Sequence, residues 1–215
     1  MSSFAKYLSL YAEHEVQKLA TFPQTFCFNH VVVIPAYKES GHFLTQFLAS
    51  ELVQQNVLLV LVVNQPATDD NKLPQQQLAS EVLAQGVLEW QHNNLSLLRF
   101  TNGNSACLLV DRFSRPIDVK QGVGLARKIG ADIACQLIAS GTIKSQWLHS
   151  TDADATLPDD YFLALEKKLR SLSKSQQQNA VAACYEFSHS CKDKRVHSAN
   201  QHYEQALRYY VAGLR

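Results

Sequence analysis

Apolar and polar positions alternate along the chain in blocks that predict strands and helices in turn. Residues 30–35 (HVVVIP) and 57–63 (VLLVLVV) are continuous apolar runs, too short for helices and typical of strands buried on both faces. Less pronounced apolar runs predict further strands at residues 95–100, 106–110, 147–151 and 180–187. Apolar residues at helical spacing predict helices over residues 3–20, 41–55, 75–90, 122–140, 158–173 and 201–214.

This alternation of strands and helices predicts an α/β fold, a three-layer α/β/α sandwich around a mainly parallel sheet. The chain has 215 residues and 46% hydrophobic content, so it can bury one sizeable core, and we expect a single domain over residues 1–215. Residues 64–75 are polar, contain two prolines and are predicted to form a loop.

Charge and cysteine usage narrow the range of function classes. A total of 20 Lys and Arg against 19 Asp and Glu leaves a net charge of +1 without a basic patch, which argues against nucleic-acid binding. Five scattered cysteines without C-x-x-C spacing favour reduced thiols and a cytoplasmic location. The N-terminal stretch is too polar for a signal peptide, and no apolar run approaches membrane-spanning length.

The clearest chemical signal follows the strand predicted at residues 147–151, where Asp152 and Asp154 lie one residue apart. At a strand end this spacing points both carboxylates to the same side of the sheet. Two ionised carboxylates held together are costly unless a cation lies between them. Such oxygen ligands suit Mg²⁺ or Mn²⁺, which usually take their remaining ligands from a substrate phosphate. The alternative is a solvated turn in which Asp159 and Asp160 cap the next helix.

Other polar segments are predicted at the same rim, because ligands of a parallel sheet bind beyond the carboxyl ends of its strands. Tyr37 and Glu39 follow the first strand, and Asn64 follows the second. A glycine-bearing helix start, from Gly122 to Arg127, offers N–H groups and a guanidinium to a diphosphate. Each has a plainer role open to it: a packing ring, a helix cap, a turn residue or a solvated side chain.

In their order and spacing, the segments VVVIPAYKES, VVNQP, GVGLARKIGAD and HSTDAD resemble the successive motifs of family-two glycosyltransferases with the GT-A fold. The resemblance runs from about residue 30 to residue 190, which is most of the chain. It implies a GT-A-like nucleotide-diphospho-sugar transferase fold. In that fold residues 1–25 are a helical extension, residues 26–155 bind the nucleotide sugar, and residues 156–215 begin an acceptor part.

The resemblance implies that the chain moves a sugar from a nucleoside-diphosphate sugar to an acceptor, with Mn²⁺ or Mg²⁺ as cofactor. Together with the helix start, it assigns donor binding to Pro35, Ala36, Tyr37, Glu39, Asn64, Gly122, Arg127 and Asp152. Asp152 and Asp154 are the implied metal ligands, with Asp152 shared between the metal and the donor ribose. The family commonly has Asp where this chain has Asn64, which keeps a hydrogen-bond acceptor but loses the charge.

A catalytic base for the acceptor hydroxyl cannot be named from the sequence. In the family it lies downstream of the D-x-D pair, where this chain offers Glu186, Asp193 and Glu204. Either the chain stops before the acceptor region or the base is unconventional, so we expect donor binding with weak or no transfer. The last predicted helix also carries a stripe of apolar residues: Tyr203, Leu207, Tyr210 and Leu214. If the domain does not cover this stripe, it marks an oligomer contact or a missing C-terminal segment.

Two other function classes compete with a transferase. A non-catalytic nucleotide-sugar-binding or assembly domain would explain why no base is recognisable. Residues 152–156 (DADAT) also match the D-x-D-x-T signature of aspartyl-phosphate phosphatases, in which Asp152 would be a nucleophile. That signature normally ends the first strand of its domain, whereas several strands precede it here. A zinc site built on Cys191 and three nearby histidines is disfavoured because their spacing fits no common structural site.

Overall fold

The structure is a computed structural model that describes residues 3–189 and 193–213. The chain divides into two compact units, with the boundary between Leu163 and Ala164. The predicted functional division near residue 155 stays a prediction. No helix in the described part of the chain is long and apolar enough to cross a membrane.

Within the described residues, one mixed sheet contains all the named strands. They are β1 (His30–Ala36), β2 (Val57–Pro66), β3 (Gly86–His92), β4 (Leu95–Phe100), β5 (Ala106–Ile117) and β6 (Leu148–Ser150). Their order across the sheet is β3-β4-β5-β2-β1-β6. The pairs β5–β2, β2–β1 and β1–β6 are parallel, whereas β3–β4 and β4–β5 are antiparallel. The α/β class is therefore confirmed, but the prediction of a mainly parallel sheet is wrong.

The antiparallel part arises from a hairpin whose first strand begins inside a region that we predicted to be helical. Residues 75–90 do not form one helix, because the helix ends at Ala84 and β3 begins at Gly86. Gly86 pairs with Phe100, and a Cβ on Gly86 would approach the Arg99 carbonyl oxygen to 2.5 Å. Only two residues separate β3 from β4, and Asn93 has a φ of +54°. Such a short connection joins antiparallel neighbours and cannot make a parallel crossover.

Helices precede, separate and follow these strands. They are α1 (Ser3–Leu10), α2 (His42–Ala49), α3 (Leu73–Ala84), α4 (Gly122–Ala139), α5 (Tyr161–Arg170), α6 (Lys174–Asn179) and α7 (Lys194–Gly213). Two 3₁₀ helices cover His14–Thr21 and Glu51–Gln55. The helices predicted over residues 3–20 and 41–55 are thus each interrupted. The second of these breaks at Ser50, which has an extended backbone. Its side chain caps the following 3₁₀ helix by accepting a hydrogen bond from the Leu52 amide.

Two predictions for the C-terminal segment need correction. Residues 180–187 form no strand, and Val181 is 91% exposed, because an apolar run becomes a strand only where another strand pairs with it. The last helix begins at Lys194, earlier than predicted. On its predicted stripe Tyr203 and Tyr210 are exposed, while Leu214 lies outside the described residues.

The two apolar runs form the centre of the sheet as predicted. Residues 31–34 and 57–63 are all buried. On one face α4 packs against Val33 and Val62, where Gly130 permits a close approach: an added Cβ would overlap the Cγ1 atom of Val33. Neighbouring strand residues point to opposite faces, so Ile34 and Leu59 belong to the other face, which α2 covers. We expected the strand predicted at residues 147–151 to be central as well, but it is β6, which lies at the sheet's edge.

Candidate functional site

Three of the predicted site residues follow the carboxyl ends of parallel strands at one rim of the sheet. Ala36, the last residue of β1, pairs with Val63 of β2, and Val33 pairs with Ser150 of β6. Tyr37, Asn64 and Asp152 therefore share this rim, as the sequence predicted. Pro35 and Ala36 are buried strand residues, so they shape the rim from beneath and do not present their side chains to solvent.

The predicted anion-binding helix start and the first aspartate of D-x-D are in direct contact. Arg127 lies near the N-terminal end of α4, and its Nη2 donates a hydrogen bond to Oδ1 of Asp152. Both side chains remain substantially exposed, at 43% and 59%. Because α4 runs back across the sheet after β5, its N-terminus lies at the rim where β6 ends. Two motifs separated by 25 residues in the chain thus meet in space.

A third carboxylate, Glu39, belongs to the same electrostatic group. Burial raises the pKa of Glu39, and the charges of Asp154 and Asp152 raise it further. Three carboxylates therefore act on one another at the rim, and Arg127 is the cation that contacts the group through Asp152. Burial is the largest cause of this raised pKa, and a cation bound at Asp152 and Asp154 would offset the part that comes from their charges.

Asp152 and Asp154 fit the chemistry of a phosphate-bound Mg²⁺ or Mn²⁺. In residues 3–189 and 193–213 no group of three or more His, Cys, Asp or Glu side chains is placed to hold a metal ion. Mg²⁺ commonly takes only one or two protein carboxylates and completes its shell with substrate phosphate and water. The charges of Asp154 and Asp152, which contribute to the raised pKa of Glu39, are consistent with this pairing. Asp152 and Asp154 do not fit an ion whose ligands are all protein side chains.

The start of α4 is open to a ligand. Gly122 has a φ of +48°, in the left-handed region that favours glycine. A Cβ on Gly122 or Gly124 would meet no atom within 4 Å, so space is free beside the first turn. The first turn carries no acidic residue, and the Gln121 side chain forms no capping bond. An 18-residue helix with such an end favours an anion there.

Tyr37 is tied to the loop after β2 through Asp69, a residue that the sequence analysis did not single out. The Tyr37 hydroxyl donates to Oδ2 of Asp69 at 2.7 Å, and Lys38 Nζ lies 2.9 Å from the same oxygen. These two partners, Tyr37 first, lower the pKa of Asp69 to about 2. Lys38 has a φ of +56°, so the backbone after β1 turns sharply at this contact. No periodicity of the sequence links the two loops, and only the fold brings them together.

Buried amide side chains lie at the end of β2 and the start of α3. Asn64 Oδ1, Gln65 Oε1 and both amide atoms of Gln75 are buried without a hydrogen-bond partner. An unpaired buried amide costs about 1–3 kcal/mol, so these groups favour a polar partner such as water or a ligand. The sequence analysis did not single out Gln75. The signal that could have identified it as buried is its position one turn before Leu78 and Ala79, on the buried face of α3.

The carboxylates considered as catalytic bases lie in the C-terminal unit. Glu204 is buried, and its Oε1 accepts hydrogen bonds from the His189 backbone amide at 2.6 Å and pairs with His189 Nδ1 at 2.9 Å. These bonds, together with the charge of Arg208, lower the pKa of Glu204. A carboxylate engaged in this way is a poor proton acceptor. Glu186 and Asp193 are exposed, and Cys191 lies outside the described residues.

Comparisons with known proteins identify no relative of this chain. No family model matches the chain, and neither a curated protein nor a solved structure matches it. The geometry of the rim is therefore the basis for any functional conclusion.

Proposed function

We propose that this chain binds a nucleoside-diphosphate sugar with Mn²⁺ or Mg²⁺ and belongs to a GT-A-like glycosyltransferase. One observation carries the proposal: Arg127 at the start of α4 contacts Asp152, in the same electrostatic group as Asp154 and Glu39. A guanidinium beside paired carboxylates provides one group for phosphate and another for a phosphate-bound cation. Distant segments of the chain supply these groups to one rim, which supports a ligand-binding role over a solvated turn.

The proposed donor extends along the rim from the loop after β1 to the start of α4. The diphosphate lies by Gly122 and Arg127, where the helix end and the guanidinium favour negative charge. Asp154 and Asp152 would hold the cation. Asn64, with its unpaired buried Oδ1, lies near the carboxyl end of β2 and supplies an acceptor for the nucleoside. The Tyr37 ring, held by Asp69, forms the wall of that nucleoside pocket.

Glycosyl transfer requires stabilisation of the leaving diphosphate, on which negative charge grows as the bond to the sugar breaks. A bound Mn²⁺ or Mg²⁺ supplies Lewis-acid stabilisation of that charge. Arg127 provides a guanidinium at the same place, and its exposure leaves it free to turn from Asp152 towards a phosphate. The residue that accepts the proton of the acceptor hydroxyl is not assigned.

A non-catalytic nucleotide-sugar-binding domain is the second candidate function. The observation that favours it is the engagement of Glu204 with His189 and Arg208, which removes one of the three possible bases. The phosphatase alternative gains no support, because β6 follows every other strand of the described sheet in chain order. Its signature normally ends the first strand.

Calorimetry tests donor binding directly. We expect UDP or GDP to bind the purified chain more tightly with Mn²⁺ than with EDTA, because the cation joins the phosphates to the aspartates. Equal affinity in the two conditions would contradict the proposal. Slow hydrolysis of a UDP- or GDP-sugar in Mn²⁺ would then distinguish a transferase from a binding domain, since an active transferase passes its sugar slowly to water.

A further inference from the structure

A cavity of about 330 Å³ opens beside Asp152 on the sheet face opposite α4. It lies between β1 and β2, the segment 43–52 and the loop 151–159. The floor is formed by buried apolar side chains: Ile34, Phe43, Phe47, Leu52 and Leu59. Pockets of this size accept a small organic molecule about as large as a single ring.

The carboxylates of this cavity belong to one side, the loop 151–159, whereas Gln46 and Ser50 add polar groups from the segment 43–52. Asp152, Thr156 and Asp159 line it together with the apolar floor. No Lys, Arg or His of the described chain is among the lining residues. An anionic ligand would therefore be repelled by the carboxylate of Asp159 and, despite its contact with Arg127, by that of Asp152, whereas a neutral hydroxyl can donate a hydrogen bond to them.

The loop that closes the cavity is held to its opposite wall. Asp159 Oδ1 accepts a hydrogen bond from the Glu51 amide at 3.2 Å, and the Asp159 carbonyl accepts from Gln55 Nε2 at 3.2 Å. Thr156 Oγ1 lies 3.4 Å from Gln46 Oε1. The cavity is thus bounded by connected elements and needs no large rearrangement to receive a ligand.

We propose that this cavity binds a small neutral alcohol with an aromatic or alkyl body, whose hydroxyl hydrogen-bonds to Asp152 and which is the sugar acceptor. The acceptor role rests on the proposed transferase function, whereas alcohol binding does not. Arg127 reaches Asp152 from α4, so the donor phosphates and the alcohol approach this aspartate from opposite sides of the sheet. This arrangement brings the two substrates together at the D-x-D pair.

In the transfer, the alcohol oxygen forms the new bond to the anomeric carbon. The bond from that carbon to the diphosphate oxygen breaks, and its electron pair leaves with the diphosphate. The hydroxyl proton passes to Asp159, a carboxylate that lines the cavity. Atoms and charges balance without an additional reactant.

Ligand-observed NMR without nucleotide tests the binding part. We expect saturation transfer to benzyl alcohol and not to benzoate, because the carboxylates repel the anion. Ala155→Phe fills the cavity and should abolish the signal, and Thr156→Phe at its mouth provides a second variant. Ala139→Phe, at the exposed end of α4, is the matched control and should retain it. Thermal unfolding of each variant verifies that it is folded.

The outcomes separate this proposal from the donor function. Loss of the benzyl alcohol signal in either folded cavity variant, with retention in Ala139→Phe, supports the cavity assignment even if UDP and GDP do not bind. Unchanged binding in both folded cavity variants, equal binding of benzoate, or no binding of benzyl alcohol overturns it, whether or not the nucleotides bind.

Discussion

Two neighbouring cations on α4 pair with aspartates in contrasting surroundings. Lys128 Nζ lies 2.6 Å from Oδ2 of Asp132, whose side chain is only 2% exposed and also accepts a 2.7 Å hydrogen bond from the Tyr7 hydroxyl. Arg127 instead contacts Asp152, whose side chain is 59% exposed. Asp132 thus accepts bonds from two different side chains, whereas Asp152 lies in the same electrostatic group as the carboxylates of Asp154 and Glu39.

The difference separates a structural charge from a functional one. The Asp132 network joins the N-terminal segment to α4, because the Glu13 amide also donates to Oδ2 at 2.8 Å. Burial lowers the pKa of Lys128, but its bonds to Asp132 and Glu13 raise it more strongly. The surroundings of Lys128 thus favour its charged form. At the rim the surroundings disfavour the charged form of Glu39, because burial and the nearby aspartates raise the pKa of its carboxyl. Removing one partner of a buried, fully paired charge destabilises the fold, while an exposed and under-compensated group is available to a ligand.

The largest expected effect comes from removing the structural aspartate. Asp132→Ala leaves Lys128 and the Tyr7 hydroxyl without their shared acceptor and should lower the free energy of unfolding by about 2–4 kcal/mol. Urea denaturation followed by circular dichroism measures this change. Asp152→Ala is the comparison variant, and its stability should stay within about 0.5 kcal/mol of wild type. Equal losses in the two variants would erase the distinction drawn between these sites.

Asp154→Ala should affect ligand binding without affecting the fold. We expect Mn²⁺ to increase UDP or GDP affinity of the wild-type chain about tenfold or more, equivalent to about 1.4 kcal/mol. In the variant this metal dependence should disappear, because a ligand of the cation is lost. Calorimetry with and without Mn²⁺ gives the ratio. Asp160→Ala, an exposed residue of the same loop, is the control and should retain the dependence.

Arg127→Gln should change two binding affinities of the rim in opposite directions. Without nucleotide, Mn²⁺ should bind about two- to fivefold more tightly, because Asp152 no longer pairs with a guanidinium; exposed ion pairs are worth about 0.2–1 kcal/mol. UDP or GDP in Mn²⁺ should bind more weakly, because a phosphate contact is lost. Manganese titration by electron paramagnetic resonance measures the first effect. Arg115→Gln, at an exposed position, should change neither affinity.

The smallest effect concerns Glu39 and depends on pH. A carboxyl whose pKa is raised by folding stabilises the fold below its ordinary value of 4.5 and loses that contribution as pH rises through the raised value. Glu39→Gln should therefore raise Tm by a few degrees at most near pH 7 and leave it unchanged near about pH 4. Mn²⁺ should reduce the difference. Glu51→Gln is the exposed control; a similar pH-dependent gain there would refute the assignment.

Some parts of the site were predictable because they depend on chain direction. An apolar run read as a buried parallel strand has its next polar residue at the carboxyl rim, which is why Tyr37, Asn64 and Asp152 share that rim. The helix from Gly122 to Ala139 follows from its apolar spacing and glycine-bearing start. Asp69 and Gln75 could not be predicted, since their roles depend on contacts between segments that share no pattern.

The sequence by itself determined the two central buried strands and the rim at which they end, because hydrophobic periodicity and strand direction are local properties of the chain. Only the tertiary structure decided that β3 and β4 form an antiparallel hairpin, that β6 lies at an edge, and that residues 180–187 form no strand. It also decided the contact of Arg127 with Asp152 and the cavity beside it. These features depend on which segments become neighbours, and pairing between distant segments is not encoded in the period of either one.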